Sequence, residues 1–322
     1  MIYEFAPMEG ITGYVYRNVH KRHFEGVDRY FLPFLLPNQT RSFTTREKKD
    51  IQPEHNAGLQ AVPQVLTNKA EDFLWAANEL ENRGYTEVNL NLGCPSGTVV
   101  SKKKGAGFLG CPQELEQFFE EICPRLNLEL SVKTRIGVER PEEFEGLLEL
   151  FNQYPIKELI VHPRVRRDFY KGEVRGEWVS YVLEHSRHPV SYNGDVVSAE
   201  GLKEVEEAYP GLQSIMIGRG LLANPGLLRE AKGGPAMTKA ELADFHWDLY
   251  EEYQRELSGG KNVLYKMKEL WFYMFCMFAD RAPYEKRMRK VQRTEEYEPL
   301  VRELFANLEL LPKGQFIPPE KR

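Results

Sequence analysis

The chain has 322 residues, with 43 lysines and arginines against 48 aspartates and glutamates, a formal net charge of −5, 42% apolar and 28% charged residues. These figures exclude a disordered chain and leave room for one large α/β domain with a small appendage. They also argue against a globally basic nucleic-acid binder, while leaving local basic patches open.

The start, MIYEFAPMEG, lacks a basic segment followed by an apolar one, so no signal peptide is expected. The longest aromatic-rich apolar run, LWFYMFCMF at 270–278, is too short to span a bilayer. A cytoplasmic protein with no membrane partner is the expectation. The four cysteines, Cys94, Cys111, Cys123 and Cys276, form no CxxC pair and have no histidine at zinc-finger spacing, so neither a disulfide nor a metal site is expected.

Along the chain, apolar runs predict strands at 3–6, 30–35, 61–66, 87–91, 130–135, 158–162, 189–193 and 214–218. Amphipathic stretches between them predict helices at 69–82, 112–123, 141–153, 177–185, 198–208 and 220–229. In the first of these, Phe73, Leu74, Ala77 and Leu80 keep helical spacing, and Ser198 is placed to cap the helix of 198–208. Eight strands alternating with helices predict a (β/α)8 TIM barrel. The competing doubly wound sheet would carry GxGxxG after its first strand, and APMEGITG does not match. Beyond the linker KGGPAM at 232–237 the alternation stops and the pattern is helical and charged to about residue 308. Two domains follow: a barrel over 1–231 and a small helical domain over 238–310.

In such barrels chemistry sits at the C-terminal ends of the strands. The polar residues there are Pro7-Met8 after the first strand, Gln64 in the third, and Asn89 and Asn91 in the fourth, with Cys94 just beyond. Lys133 and Arg135 end the fifth, His162 and Arg164 the sixth, Asn193-Gly194-Asp195 the seventh, and Gly218-Arg219 the eighth. The last two loops are the usual phosphate cradle, where backbone N–H groups and a charged Arg219 suit an anion. An aromatic ring with a phosphate tail, such as FMN, fits this layout, its ring near Gln64 and Lys133. A lysine beside the flavin stabilises the reduced anionic ring. Cys94, between Gly93 and Pro95, reads either as an inert thiol or as a proton donor, since a neutral thiol is mostly protonated at pH 7.

The blocks APMEGIT, NLNLGCP with GAGFL downstream, VKTRIG, LIVHPR, YNGD and IMIGRG resemble, in order, the signatures of the dihydrouridine synthases. The resemblance spans the barrel and reaches into the helical region at KMKELWFYMFCMF and KRMRK. It implies an NADPH-dependent FMN enzyme that reduces the C5=C6 bond of uridine in tRNA. It further implies FMN contacts from Pro7, Met8, Gln64, Lys133, His162, Asn193, Gly194, Asp195, Gly218 and Arg219. Cys94 becomes the proton donor, and Asn91 and Arg135 the contacts to the base. A monomer without metal is expected. The first block departs from the family pattern at Gly13, where an aspartate is common. The chemistry is hydride delivery to C6 and protonation of C5 by the thiol, on a base drawn out of its stack. The alternative is a flavin ene-reductase acting on a free pyrimidine or another small enone. Basic residues at Lys102–Lys104, Arg164, Arg166, Arg167, Lys171, Arg175, Lys266, Lys268, Lys286, Arg287, Arg289 and Lys290 are expected to face RNA phosphates.

Overall fold

The stretch EVNLNL sets the logic of the barrel. In a strand, alternate side chains point to opposite faces. Val88, Leu90 and Leu92 therefore share one face, and Glu87, Asn89 and Asn91 the other. A computed structural model describes residues 1–38 and 40–318. In chain order it contains β1 (Ile2–Phe5), α1 (Tyr14–His23), β2 (Arg29–Phe31), α2 (Thr45–Asp50), β3 (Ala61–Val62) and β4 (Gln64–Val65). There follow α3 (Ala70–Glu81), β5 (Glu87–Leu92), α4 (Gly97–Val100), α5 (Pro112–Ile122), β6 (Glu129–Arg135), α6 (Glu143–Phe151), β7 (Ile156–His162) and α7 (Gly176–His185). The order closes with β8 (Val190–Tyr192), α8 (Ala199–Ala208), β9 (Ser214–Ile217), α9 (Arg219–Ala223), α10 (Leu227–Ala231), α11 (Lys239–Glu256), α12 (Gly260–Met274), α13 (Ala282–Lys290) and α14 (Thr294–Asn307).

The strands form one sheet in the order β3-β2-β1-β9-β8-β7-β6-β5-β4, paired in parallel. Its two outer members, β3 and β4, are consecutive in the chain and separated only by Pro63. They are one barrel strand, split because proline has no N–H to give to a ladder. The Pro63 carbonyl still accepts from the Asn89 amide at 2.8 Å, and a parallel bridge between Leu35 and Val65 closes the seam. The fold is the expected eight-stranded TIM barrel. The second strand ends sooner than expected, at Phe31, with Leu35 rejoining the sheet through that bridge beyond Pro33.

The described chain divides into two compact units. The first comprises Met1–Glu9, Asp28–Gly194 and Glu206–Met216; the second comprises Gly10–Val27, Asp195–Val205 and the chain from Ile217 onward. In the first unit, α3 buries Phe73, Ala76, Ala77 and Leu80, so Ala76 rather than Leu74 completes the inward stripe. Phe73 meets Phe118 of α5 edge-on at 5.6 Å. An apolar cluster of Ala6, Phe31, Val62, Ile160 and Met216 packs the barrel.

The barrel floor is charged. Arg29 donates to Glu4 at 2.9 Å, to Glu87 at 2.6 Å and to Glu158 at 2.6 Å. Arg29 lies on β2 and Glu158 on β7, which are not neighbours in the sheet, so this ion cluster crosses the barrel interior. Buried carboxylates are costly unless paired and hydrogen-bonded. Here Lys157 adds a bond to Glu87 at 2.7 Å, Ser191 donates to Glu4 at 3.1 Å, and Ser214 donates to Glu158.

In the second unit, α1 packs on α11 through the edge-on rings of Phe24 and Phe245, 5.2 Å apart. The helix expected over 220–229 is two short ones, α9 and α10. Asn224 stands before Pro225 and is extended (φ −117°, ψ 92°), as sterics before proline require. Four helices, α11 to α14, follow. Trp271, His246 and Tyr297 form their buried polar centre: the Tyr297 hydroxyl accepts from Trp271 Nε1 at 2.8 Å and bonds His246 Nε2 at 2.7 Å. No described helix is long and apolar enough to cross a membrane.

Candidate active site

In the first unit, the C-terminal ends of β4, β5 and β6 bring polar groups into register. Asn89 pairs with Ser131, and Asn91 with Lys133. Gln64 is fully buried; its Nε2 donates to Asn89 Oδ1 at 2.7 Å, and its Oε1 accepts from Asn91 Nδ2 at 2.7 Å. Asn91 Oδ1 then accepts from the backbone N–H of both Gly93 and Cys94, each at 3.0 Å. The side chain expected to touch a base is thus the one that holds the Cys94 loop.

Cys94 is half-buried and its carbonyl accepts from the Ala106 amide at 3.0 Å. Burial pushes the thiol up from its ordinary value, and the Ser96 backbone N–H and the charges of Arg135 and Lys133 offset only part of that rise. The thiol is therefore held protonated at neutral pH. In the segment after it, α4 is followed by a 3-10 helix over Gly105–Gly110, and Lys103 is paired to Glu114 at 2.6 Å.

Lys133 donates to Asn193 Oδ1 at 2.6 Å, and Asn193 Nδ2 donates to the Met216 carbonyl at 2.8 Å. Burial first, then the neighbouring Arg135, lowers Lys133 to about 7. His162 ends β7, buried, in register with Arg135. Arg135 is fully buried, and three of its N–H groups go to the carbonyls of Gly93 at 2.9 Å, Val165 at 3.0 Å and Phe169 at 2.7 Å. It braces two loops, the one after β5 and the one after β7. Pro7 and Met8 lie half-buried immediately after β1. A Cβ at Gly194 would stand 2.0 Å from the Tyr192 hydroxyl, so a side chain there requires the Tyr192 ring to move.

In the second unit, Gly218 precedes α9, and Arg219 at its start donates to Asp195 at 2.7 Å and lies 5.1 Å over the Phe316 ring. Gly220 is required as well, since a Cβ there would stand 2.3 Å from the Val196 carbonyl.

The basic residues divide on inspection. Arg164 is buried and donates to the Gly172 carbonyl at 2.6 Å. Lys266 donates to the Gly10 carbonyl and to Glu269 at 3.0 Å, and Lys268 to the Val291 carbonyl. Arg175 is held by Asp168 at 2.5 Å, and Arg287 makes a two-pronged pair with Glu303 at 2.5 and 2.6 Å. Each of these five is engaged by a partner within the protein, and Arg164 is buried. Lys286, Arg289 and Lys290 of α13 remain exposed. Among the described residues no group of three or more His, Cys, Asp or Glu side chains could hold a metal ion.

A family model described as dihydrouridine synthase (Dus) matches residues 4–309. The chain belongs to the dihydrouridine synthase family. It is 28% identical over 225 residues to the tRNA-dihydrouridine synthase B of Pasteurella multocida, covering 70% of this chain and 67% of the relative. To the tRNA-dihydrouridine(16) synthase of Neisseria meningitidis serogroup B it is 27% identical over 320 residues, covering 94% and 93%. Among solved structures, morphinone reductase superposes with a TM-score of 0.50 at 11% identity, covering 74% of this chain and 87% of that one. A structure described as TcOYE with pHBA gives 0.51 at 10% identity, covering 73% and 89%. These two likenesses are of fold, and agree with a TIM barrel. Within this dihydrouridine synthase, Glu87 and Ser131 are site-proximal residues that apolar-run reading passed over; the signal was present in the alternation of β5 and β6.

Proposed function

We propose that this dihydrouridine synthase reduces a uridine of tRNA to dihydrouridine, with FMN as its cofactor and NADPH as the electron donor. The observation that carries the reading is the protonated Cys94 thiol, fixed by Asn91 on the loop after the strand whose partner presents Lys133. The donor set suits a flavin. Gln64 and Lys133 offer N–H groups to ring heteroatoms, with Pro7, Met8 and His162 as further contacts from the first unit. Asn193 and Gly194 of that unit are the groups proposed for the phosphate tail. FMN, when bound and reduced, supplies a hydride for C6 of the base.

The chain's own part is the proton. As charge builds toward C5 and O4 of the uracil, a thiol that is still protonated can deliver its proton to C5, which is general acid catalysis. Lys133, lowered to about 7 and so charged in part at neutral pH, offers an N–H donor where electron density grows. The base has to leave its stack to be reached. The barrel, residues 1–231, would do the chemistry and the helical region, 238–310, would carry the RNA.

The test is direct. Purified protein should be yellow, and should restore dihydrouridine to tRNA taken from a strain that lacks it. Cys94→Ala should keep the flavin spectrum and lose most turnover. Dihydrouridine unchanged at every position would sink this reading. Reduction of free uridine or a small enone without reduction of tRNA would favour the ene-reductase instead.

A further inference from the structure

The hydrogen bonds beneath the site run in one direction. Arg29 at 2.6 Å and Lys157 at 2.7 Å flank Glu87, a carboxylate that can only accept. It therefore takes the Ser131 hydroxyl proton, at 2.7 Å. That leaves the Ser131 oxygen as acceptor for Asn89 Nδ2 at 2.9 Å. Asn89 must then present its carbonyl oxygen to Gln64 Nε2 at 2.7 Å, and Gln64 its own oxygen to Asn91 Nδ2 at 2.7 Å. At the far end stand the Gly93 and Cys94 backbone N–H groups, which can only donate, and Asn91 Oδ1 accepts both. An obligate acceptor at one end and obligate donors at the other determine the orientation of every amide between them. Gln64, Asn89 and Ser131 are fully buried, so water cannot substitute for a missing member.

We propose that Glu87, Ser131 and Asn89 are positioning residues: a polarised hydrogen-bond relay that fixes the amide orientation of Gln64 and Asn91 and thereby aims the Cys94 loop. This rests on the reading of Gln64 and Cys94 as site residues given above. The three touch neither cofactor nor base; they act through Asn91. Neutral amides alone would permit two opposite polarities of the chain. The Glu87 carboxylate at one end and the Gly93 and Cys94 N–H groups at the other select the same one, so each end reinforces the other.

The experiment reads Cys94 itself, in flavin-free and flavin-loaded protein. Alkylation by iodoacetamide, followed by peptide mapping, gives a rate for Cys94 with Cys111 and Cys123 as internal references. Ser131→Ala strands the Asn89 donor, and the Cys94 rate is expected to change by about tenfold, the factor that a lost buried hydrogen bond of ordinary strength commands. The references should not move. Asn89→Asp supplies a second comparison within one variant, should Ser131→Ala not fold. A protonated aspartic acid accepts from Gln64 and donates to Ser131 as asparagine does; an ionised one cannot donate. Its Cys94 rate should match wild type at low pH and depart from it as pH rises, in a step that Asn89→Asp/Ser131→Ala lacks. In flavin-loaded protein the absorbance spectrum should show the same step.

A Cys94 rate and a spectrum indifferent to both substitutions would overturn the relay. A response of the alkylation rate in protein that binds no flavin would uphold the relay while refuting the cofactor assignment, so the two failures are distinguishable.

Discussion

Gly105 stands directly behind Cys94. A Cβ on Gly105 would lie 2.8 Å from the Cys94 carbonyl oxygen and 3.0 Å from the Cys94 Cβ, and the backbone there is left-handed, with φ +54°. The GAGFL block is thus the back wall of the loop that holds the thiol. Gly105→Ala should cost about 1–2 kcal/mol from the backbone conformation alone. The clash should also push Cys94 off its position. The expected outcome is turnover reduced by at least about tenfold with flavin content retained, since small displacements of a reacting group are expensive. Steady-state kinetics alongside flavin absorbance check it.

The ion cluster on the barrel floor predicts a dependence of stability on pH. Burial, and then the facing Glu158, hold the Glu4 carboxyl well above the usual carboxylate range, against the pull of Arg29. The folded state therefore binds a proton more tightly than the unfolded chain does. The stability it lends is present below the ordinary carboxylate value and is lost as pH rises through the folded one. Glu4→Gln removes that slope. The melting temperature of Glu4→Gln relative to wild type should climb steadily from pH 5 to pH 8, as thermal melts across that range would show. A constant difference would mean that Glu4 does not titrate in this window.

The α13 helix predicts where RNA affinity lies. The Arg289 side chain is 79% exposed and only loosely paired, 3.6 Å from Glu285, whereas Arg287 is clamped by Glu303. Charge reversal at Lys286, Arg289 and Lys290 should weaken tRNA binding and lower the salt slope by about 0.7–0.9 per phosphate contact removed. Arg287→Gln should do less than Arg289→Gln. Filter binding at several salt concentrations separates the two.

Tyr297 predicts the stability of the helical region. Its hydroxyl serves both Trp271 and His246 in a fully buried setting, and burial keeps His246 neutral, lowered to about 3. Tyr297→Phe strands both partners and should cost about 1–3 kcal/mol. Denaturant melts would show a lower midpoint with an unchanged slope.

Gly13 is the one departure in the first signature block, and it occupies the N-cap of α1 with no side-chain hydrogen bond and no acidic residue in the first turn. Its conformation, φ −63° and ψ 172°, is one an aspartate adopts readily. Gly13→Asp should therefore stabilise the protein by a few tenths of a kcal/mol through the cap, with about 0.3–1 kcal/mol more from the helix dipole. A rise in the melting temperature that fades at high salt would identify the dipole share.

The barrel was legible because its strands carry periodic apolar faces and because the polar residues at their ends fall at two-residue spacing. Residues 131, 133 and 135 of β6 show this as plainly as 87, 89 and 91 of β5. What escaped was long-range. Nothing local announces that Arg29 will meet Glu4, Glu87 and Glu158 across the barrel, since these carboxylates are widely separated in the chain. The surface was misjudged for a related reason. Arg164, Lys266 and Lys268 read as exposed cations, yet their long stems let the head groups reach backbone carbonyls elsewhere in the fold. The α1 helix went unread because Gly13 supplies no capping signal.

The one-way order of donors and acceptors from Glu87 to Cys94 also constrains how such a site can drift. Reversing a single amide would leave two like groups face to face, so no intermediate member can change its hydrogen-bonding sense alone. Positions 64, 89, 91 and 131 are free to diverge only together, and one mutation tolerated at any of them should become permissive or lethal depending on its three neighbours. Epistasis of that kind is written into a file of four buried side chains before any selection on RNA begins.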